Sequence, residues 1–423
     1  MHASHRTKFT VIIPTRERCD TLQSTLRTCV DQDYDNLQIL VSDNFSQDQT
    51  REVVDSFRDD RIRYVNTGKR VSMSHNWEFA LSHVDDGYIT FIGDDDGLLP
   101  GCLTELDDLI RELNCEAIVW HSAAYKWPNY ITESLRNKLT IPLDMSLQKC
   151  DSATMLHKAG KSLQWAQLPS FYNSVVSYNS SRNVMQETGQ FFQSMIPDVY
   201  SAIALASVME TYYYSARPYS ILGASQHSGG NSMVYGAADG LKAAQRFLSE
   251  DNIPFHKMLV YAPSLRLLMA ECLLQAHDHL ATVRRLNLDI DIKHVLNAVV
   301  KEAATQPPLQ RDQIIEAVEK MGRLHQIEDY VARLIAEHPP VAVPDAPAPL
   351  GIYWDCHAMF LDCADFDVHD VAGACVLCKH ALTFARLGYF SPLGILKTTV
   401  ERGNRKLMPR RTRPQVAEAR SKS

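Results

Sequence analysis

The sequence predicts an α/β domain followed by a helical C-terminal module. Over residues 9–121 short apolar runs alternate with amphipathic stretches, the pattern of parallel strands joined by crossover helices. From Ala237 to His338 apolar residues recur at helical spacing throughout, as in Leu265, Leu268, Met269, Cys272 and Leu273. With 423 residues, 45% hydrophobic and 22% charged, the chain has the composition of a globular protein of two or three domains.

Strands are expected at Phe9–Pro14, Leu37–Ser42, Ile62–Asn66, Tyr88–Ile92 and Ala117–His121. Between the first two, Leu22, Leu26, Cys29 and Val30 share one helical face, and Asp20 with Gln23 has the form of a capping box. Val53, Val54 and Phe57 mark a second helix, with Ser46 or Asp48 as its cap, and Met73, Trp77, Ala80 and Leu81 a third. Pro100 suits the first turn of a fourth, in which Leu103, Leu106, Ile110 and Leu113 repeat at helical spacing. Residues 122–235 read as less regular, with a sustained helix only around Val199–Tyr213 and a strand at Tyr219–Leu222.

The organisation predicted is an α/β domain over 1–235, a helical domain over 236–338, a Pro/Ala-rich linker over 339–350, and C-terminal helices with a basic tail over 351–423. A net charge of −7 argues against a nucleic-acid partner. The polar start of the chain holds no apolar core of a signal peptide and no stretch is long enough to span a membrane, so a cytoplasmic location with reduced cysteines is expected. The apolar residues from Phe384 to Leu396, followed by Arg402, Arg405, Lys406, Arg410, Arg411 and Arg413, suit either peripheral contact with the inner face of a membrane or a docked helix with a basic end.

In an open parallel sheet, ligands bind beyond the carboxyl ends of the strands. Here those ends carry Pro14-Thr15-Arg16-Glu17-Arg18, Ser42-Asp43-Asn44 and Gly93-Asp94-Asp95-Asp96. Three adjacent carboxylates repel one another, and a divalent cation relieves the repulsion. The other reading of the run is a cap for the helix that follows.

These segments, with Asn76 in the third helix and Pro100 after the acidic run, resemble the family 2 glycosyltransferases, strongly over residues 9–113 and more weakly to about 235. The resemblance implies a GT-A fold, a Rossmann-like mixed sheet that binds nucleotide-diphospho-sugars. It implies an inverting, metal-dependent glycosyltransferase that moves a sugar from a nucleotide-diphosphate donor to a hydroxyl of a glycan or lipid-linked glycan, in cell-surface polysaccharide synthesis. The alternative is a catalytically degenerate relative acting as a binding or scaffold subunit.

Carried over by position, the resemblance puts Thr15, Glu17, Arg18, Asp43, Asn76, Asp94 and Asp95 at the nucleotide sugar. It puts Asp95, Asp96 and His227 at Mg2+ or Mn2+ in a DXD-type motif, with Asp95 the main ligand. Gly93 departs from the acidic residue common in the family, so Asp94 is expected to take over the ribose contact. The base that accepts the acceptor's proton is placed at Asp198, a position that also suits a helix start. Lys69 and Arg70 suit either the diphosphate or the surface.

Overall fold

The computed structural model describes residues 6–226, 250, 252–288, 290–341, 350–353 and 357–386. Four of the five expected first strands appear in register as a parallel block: β1 (Phe9–Thr15), β2 (Leu37–Asp43), β3 (Ile62–Asn66) and β4 (Tyr88–Phe91). Their crossovers are α1 (Cys19–Val30), α2 (Thr50–Ser56) and α3 (Met73–Leu81). After β4 the chain forms β5 (Gly97–Leu98), α4 (Cys102–Leu113), β6 (Ala117–Trp120), β7 (Ala123–Lys126), β8 (Lys138–Pro142) and β9 (Leu147–Asp151). Then come α5 (Ser152–Ser162), β10 (Ser174–Ser177), α6 (Tyr178–Thr188), α7 (Pro197–Val208), β11 (Thr211–Ser215) and β12 (Ser220–Ala224).

Eight strands make one mixed sheet in the order β3-β2-β1-β4-β10-β6-β11-β9, with β10 antiparallel to both of its neighbours. The all-parallel expectation therefore holds only for the first half. Three times the chain leaves this sheet at a strand's carboxyl end and enters a second one, from β4 to β5, from β6 to β7 and from β11 to β12. The second sheet has the order β13-β14-β8-β7-β12-β5, where β13 (Gly351–Tyr353) and β14 (Ala358–Asp362) form a hairpin that pairs along β8. The acidic run is the crossing between β4 and β5.

The helical region comprises α8 (Leu265–His279), α9 (Ala281–Arg285), α10 (Ile292–Ala303), α11 (Pro308–Leu324) and α12 (Glu328–Glu337). Leu267, Met269, Cys272 and Leu273 of α8 join α7 in one hydrophobic core that continues into the main sheet. Leu265, expected on the buried face, is exposed, because it stands at the first position of α8. Glu302 of α10 accepts the amides of Leu265 and Arg266 at 3.0 and 3.1 Å, closing the N-terminus of α8 with a charge of the favoured sign. By contacts the chain divides into two compact units, residues 1–376 and 377–423, and α13 (Val371–Arg386) contains residues of both.

Three local expectations fail for identifiable reasons. The helix α1 starts at Cys19, so Asp20 lies inside its first turn, and the amide of Cys19 is bonded instead by Asp48 at 2.9 Å. Residues 122–235 contain two further helices, α5 and α6, and the segment expected to be helical to Tyr213 turns into β11 at Thr211. The α6 sequence is polar, and its helical state is supported by hydrogen bonds such as Ser180 to Glu116 at 2.6 Å, which no periodicity reveals. Ahead of α13 the C-terminal segment supplies a β-hairpin, where only helices were expected.

Candidate active site

Thr15 and Asp43 end adjacent parallel strands and are paired in register, and the Asn44 amide bonds the Thr15 carbonyl at 2.9 Å. Each expected strand-end residue is held differently. The Asp43 carboxylate is buried and accepts the Ser46 amide at 3.0 Å, the Tyr64 hydroxyl at 2.5 Å and the Asn66 amide at 2.8 Å. Glu17 adopts a left-handed backbone, with φ of 55°, and accepts the Gln47 amide at 3.1 Å and the Arg70 guanidinium at 2.5 Å. Asn76 accepts the Ser42 hydroxyl at 2.8 Å and so braces the strand carrying Asp43. Lys69 contributes a carbonyl that accepts the Thr67 hydroxyl at 2.7 Å.

The three carboxylates of the acidic run are buried, and each has its own donors. Asp94 accepts the Thr15 hydroxyl and the Arg18 guanidinium, both at 2.8 Å. Asp95 accepts the amide and hydroxyl of Ser225 at 3.2 and 2.8 Å, and its carbonyl accepts the Trp127 indole N–H at 2.9 Å. Asp96 accepts the amides of Gly93 and Gly223 at 2.6 and 2.7 Å and the hydroxyl of Tyr172. None of them caps α4, whose start at Gly101 has no side-chain cap. The helix-cap reading of the run is thereby removed.

Burial pushes Asp94 up from its ordinary value against the pull of Arg18, and burial together with the charge of Asp95 pushes Asp96 up to about 7. Burial opposes the charge on Arg18, but the attraction of Asp94 and Asp95 outweighs it and raises its pKa. The guanidinium is thus the resident counter-charge of the run.

Gly93 and Gly223 are explained by close approach. A Cβ on Gly223 would lie 1.7 Å from the Asp95 carbonyl oxygen. On Gly93 it would lie 3.0 Å from both Asp96 Oδ2 and the Tyr172 hydroxyl, so the space a side chain would need is filled by the Asp96–Tyr172 pair.

Asp198 sits in the first turn of α7, one residue after Pro197. The cap position is Ile196, and the Asp198 carboxylate is tied to no other side chain among the described residues. Burial raises its pKa, while nearby backbone amides hold it down. One turn on, Ser201 Oγ accepts the Phe171 amide at 3.2 Å, and the next residue, Tyr172, reaches Asp96 and is raised by burial and by the charges of Asp96, Asp95 and Asp198.

The structure therefore brings together Thr15, Arg18, Asp94, Asp95 and Asp96, with Asp43 at the end of the neighbouring strand β2, Glu17 on the loop after β1 and Asn76 in α3. His227 and the basic tail lie outside the described residues. Tyr172, Gly223, Ser225 and Trp127 are contributors that sequence reasoning did not single out for this role. Among the described residues no group of three or more His, Cys, Asp or Glu is arranged to hold a metal ion by itself. The all-oxygen donor set fits a hard ion completed by oxygens from a bound diphosphate.

Residues 10–162 match the model of the family described as Glycosyl transferase family 2. A curated relative, the GalNAc(5)-diNAcBac-PP-undecaprenol beta-1,3-glucosyltransferase of Campylobacter jejuni, is 36% identical over 102 residues, covering 23% of this chain and 33% of that protein. The match thus spans about a third of the relative's length. Among solved structures, S. aureus TarS 1-349 aligns at 12% identity with a TM-score of 0.42, over 78% of this chain and 90% of that one. The mannosyltransferase PcManGT from Pyrobaculum calidifontis, in complex with GDP-Man and Mn2+, aligns at 14% identity with a TM-score of 0.36, over 79% and 88%. The strand-end motifs, the mixed sheet and the match over residues 10–162 make this chain's N-terminal region similar to glycosyl transferase family 2, on a GT-A type α/β fold.

Proposed function

We propose that the protein is an inverting glycosyltransferase that takes a sugar from a nucleotide-diphosphate donor and delivers it to a hydroxyl of a glycan or lipid-linked glycan, in cell-surface polysaccharide synthesis. The observation that carries the reading is the convergence of Thr15, Arg18 and three buried carboxylates at the carboxyl ends of β1 and β4, where Tyr172 bonds Asp96 and also feels the charge of Asp198. Three buried carboxylates beside the Arg18 guanidinium repel one another and are pushed toward protonation, a cost that a cation-bearing ligand relieves.

Asp43, with the Tyr64 and Asn66 groups around it, and Glu17 are assigned to the base and ribose, and Asp94 to the ribose side. Asp95 would hold Mg2+ or Mn2+ together with the donor diphosphate, and Asp96 joins only by giving up the Tyr172 hydroxyl. When bound, the ion stabilises the departing diphosphate. Asp198 removes the acceptor proton as the hydroxyl attacks, and a half-buried carboxylate that no other described side chain engages supports that task. The curated relative's name specifies a lipid-linked acceptor, which supports the acceptor class. No helix among the described residues is long and apolar enough to cross a membrane, and a peripheral attachment through the C-terminal tail is part of the proposal.

The test separates binding from chemistry. Asp95→Asn is expected to weaken Mn2+-dependent binding of nucleoside diphosphate, followed by calorimetry, by about tenfold or more. Asp198→Asn is expected to leave that binding intact and to lower transfer by a factor of about 10² or more. Wild-type turnover in either variant would reject the assignment.

A further inference from the structure

The turn leading into Asp198 is held by α3, the helix that also braces the donor side. Residues 190–196 between α6 and α7 carry no regular structure, so their backbone N–H groups have no ladder or helix partners. The carboxylate of Glu78 in α3 accepts two of them, from Phe191 at 3.0 Å and Phe192 at 2.9 Å. One turn earlier in α3, the Ser74 hydroxyl donates to the Ser194 carbonyl at 2.7 Å. Trp77, stacked on Phe91 at 4.4 Å, meets Phe192 edge-on at 5.8 Å. From the other side, Glu271 of α8 accepts the Ser194 hydroxyl at 2.5 Å. Two helices thus clamp one strap, and the strap ends at Pro197-Asp198.

The clamp bears on position more than on packing. Among the described residues the Asp198 carboxylate is tied to no other side chain and is held by backbone amides of its own turn, so it stands where the incoming backbone puts it. A carboxylate that takes two adjacent amides is a charge-assisted, two-point restraint, whereas the apolar contacts of Phe191 and Phe192 alone leave the backbone free to rock. The same helix brings Asn76 to Ser42, one residue before Asp43, so both halves of the site are referred to a single rigid element.

We propose that Glu78 is a positioning residue for Asp198: its hydrogen bonds to Phe191 and Phe192 fix the strap that sets the base relative to the donor. This rests on the reading of Asp198 as the base. The test compares wild type, Glu78→Gln, Asp198→Asn and the double variant as full chains. It measures Mn2+-dependent binding of UDP and GDP, hydrolysis of UDP-glucose, UDP-GlcNAc and GDP-mannose, and hydrogen exchange across residues 190–198. Glu78→Gln is expected to lower kcat by about tenfold or more while nucleotide affinity stays within about twofold. Exchange of the strap should rise, and the double variant should be no slower than Asp198→Asn alone. Unchanged exchange, a parallel loss of nucleotide binding, or additive losses in the double variant would overturn the proposal. An inactive Asp198→Asn beside a fully active Glu78→Gln rejects the positioning role alone, whereas a fully active Asp198→Asn removes the base reading and this inference with it. Should Glu78→Gln fail to fold, Ser74→Ala removes a single hydroxyl from the same clamp and is held to the same criteria at smaller amplitude.

Discussion

Glu271 is fully buried in the strap's other clamp, and its titration reports on that burial. Removal from water pushes its carboxyl above the ordinary glutamate value, against the opposing pull of the Ser194 and Gln275 hydrogen bonds. The native chain therefore keeps this proton at pH values where the unfolded chain has lost it. The stabilisation from this group is complete below the unfolded carboxylate range, near pH 4, and is lost as pH rises through the raised native value. Glu271→Gln cannot titrate, so its melting temperature relative to wild type is expected to climb between about pH 4 and pH 8. A constant difference across that range would contradict the burial argument. The same scale separates what was legible from what was not. Thr15, Asp43 and Asp94–Asp96 could be read because strand ends converge by rule. Tyr172, Gly223 and Glu78 could not, because their partners lie 76 residues away (Asp96), 127 residues away (Asp96) and 113 residues away (Phe191) along the chain.

At the scale of elements, the site depends on a crossing of β12 over the acidic run. The two-residue β5 is too short to announce itself by alternation, and β7 was hidden in a segment with mixed aromatic and polar composition, whereas β12 matches the strand expected at Tyr219–Leu222. Yet β12 supplies the Gly223 amide to Asp96 and leads into Ser225, which holds Asp95. Its backbone approaches so closely that a methyl group at 223 has no room. Gly223→Ala is therefore expected to destabilise the protein by roughly 1–3 kcal/mol, the usual cost of overpacking. Because the displaced atom belongs to Asp95 itself, the loss should appear twice, in the thermal melt and in Mn2+-dependent nucleotide binding. A variant that melts lower but binds normally would uncouple β12 from the site. By contrast β1 to β4 were readable nearly to the residue, since each is a short apolar-containing run bounded by turn residues, buried in β1, β2 and β4 and half-exposed in the edge strand β3.

For the whole molecule, the sequence reading ended the α/β region near residue 235, and the structure returns the chain to it more than a hundred residues later. The β14 strand pairs antiparallel with β8 from Ala358 to Asp362, Lys138 and Asp362 form an ion pair, and the Cys363 amide bonds the Asn137 carbonyl at 2.9 Å. A three-residue and a five-residue strand separated from their sheet by a Pro/Ala-rich stretch offer no local sign of where they dock. Their role is to close an edge. Without them β8 presents unpaired N–H and C=O groups beside the buried Leu139 and Ile141, which is a template for association with other chains. Truncation after residue 341 is therefore expected to lower the melting temperature and to produce concentration-dependent aggregation, followed by light scattering. Lys138→Ala in the full chain removes only a partly exposed ion pair and should cost about 1 kcal/mol or less. A truncated chain that stays monomeric and melts like the full one would show that the sheet is complete without its returning hairpin.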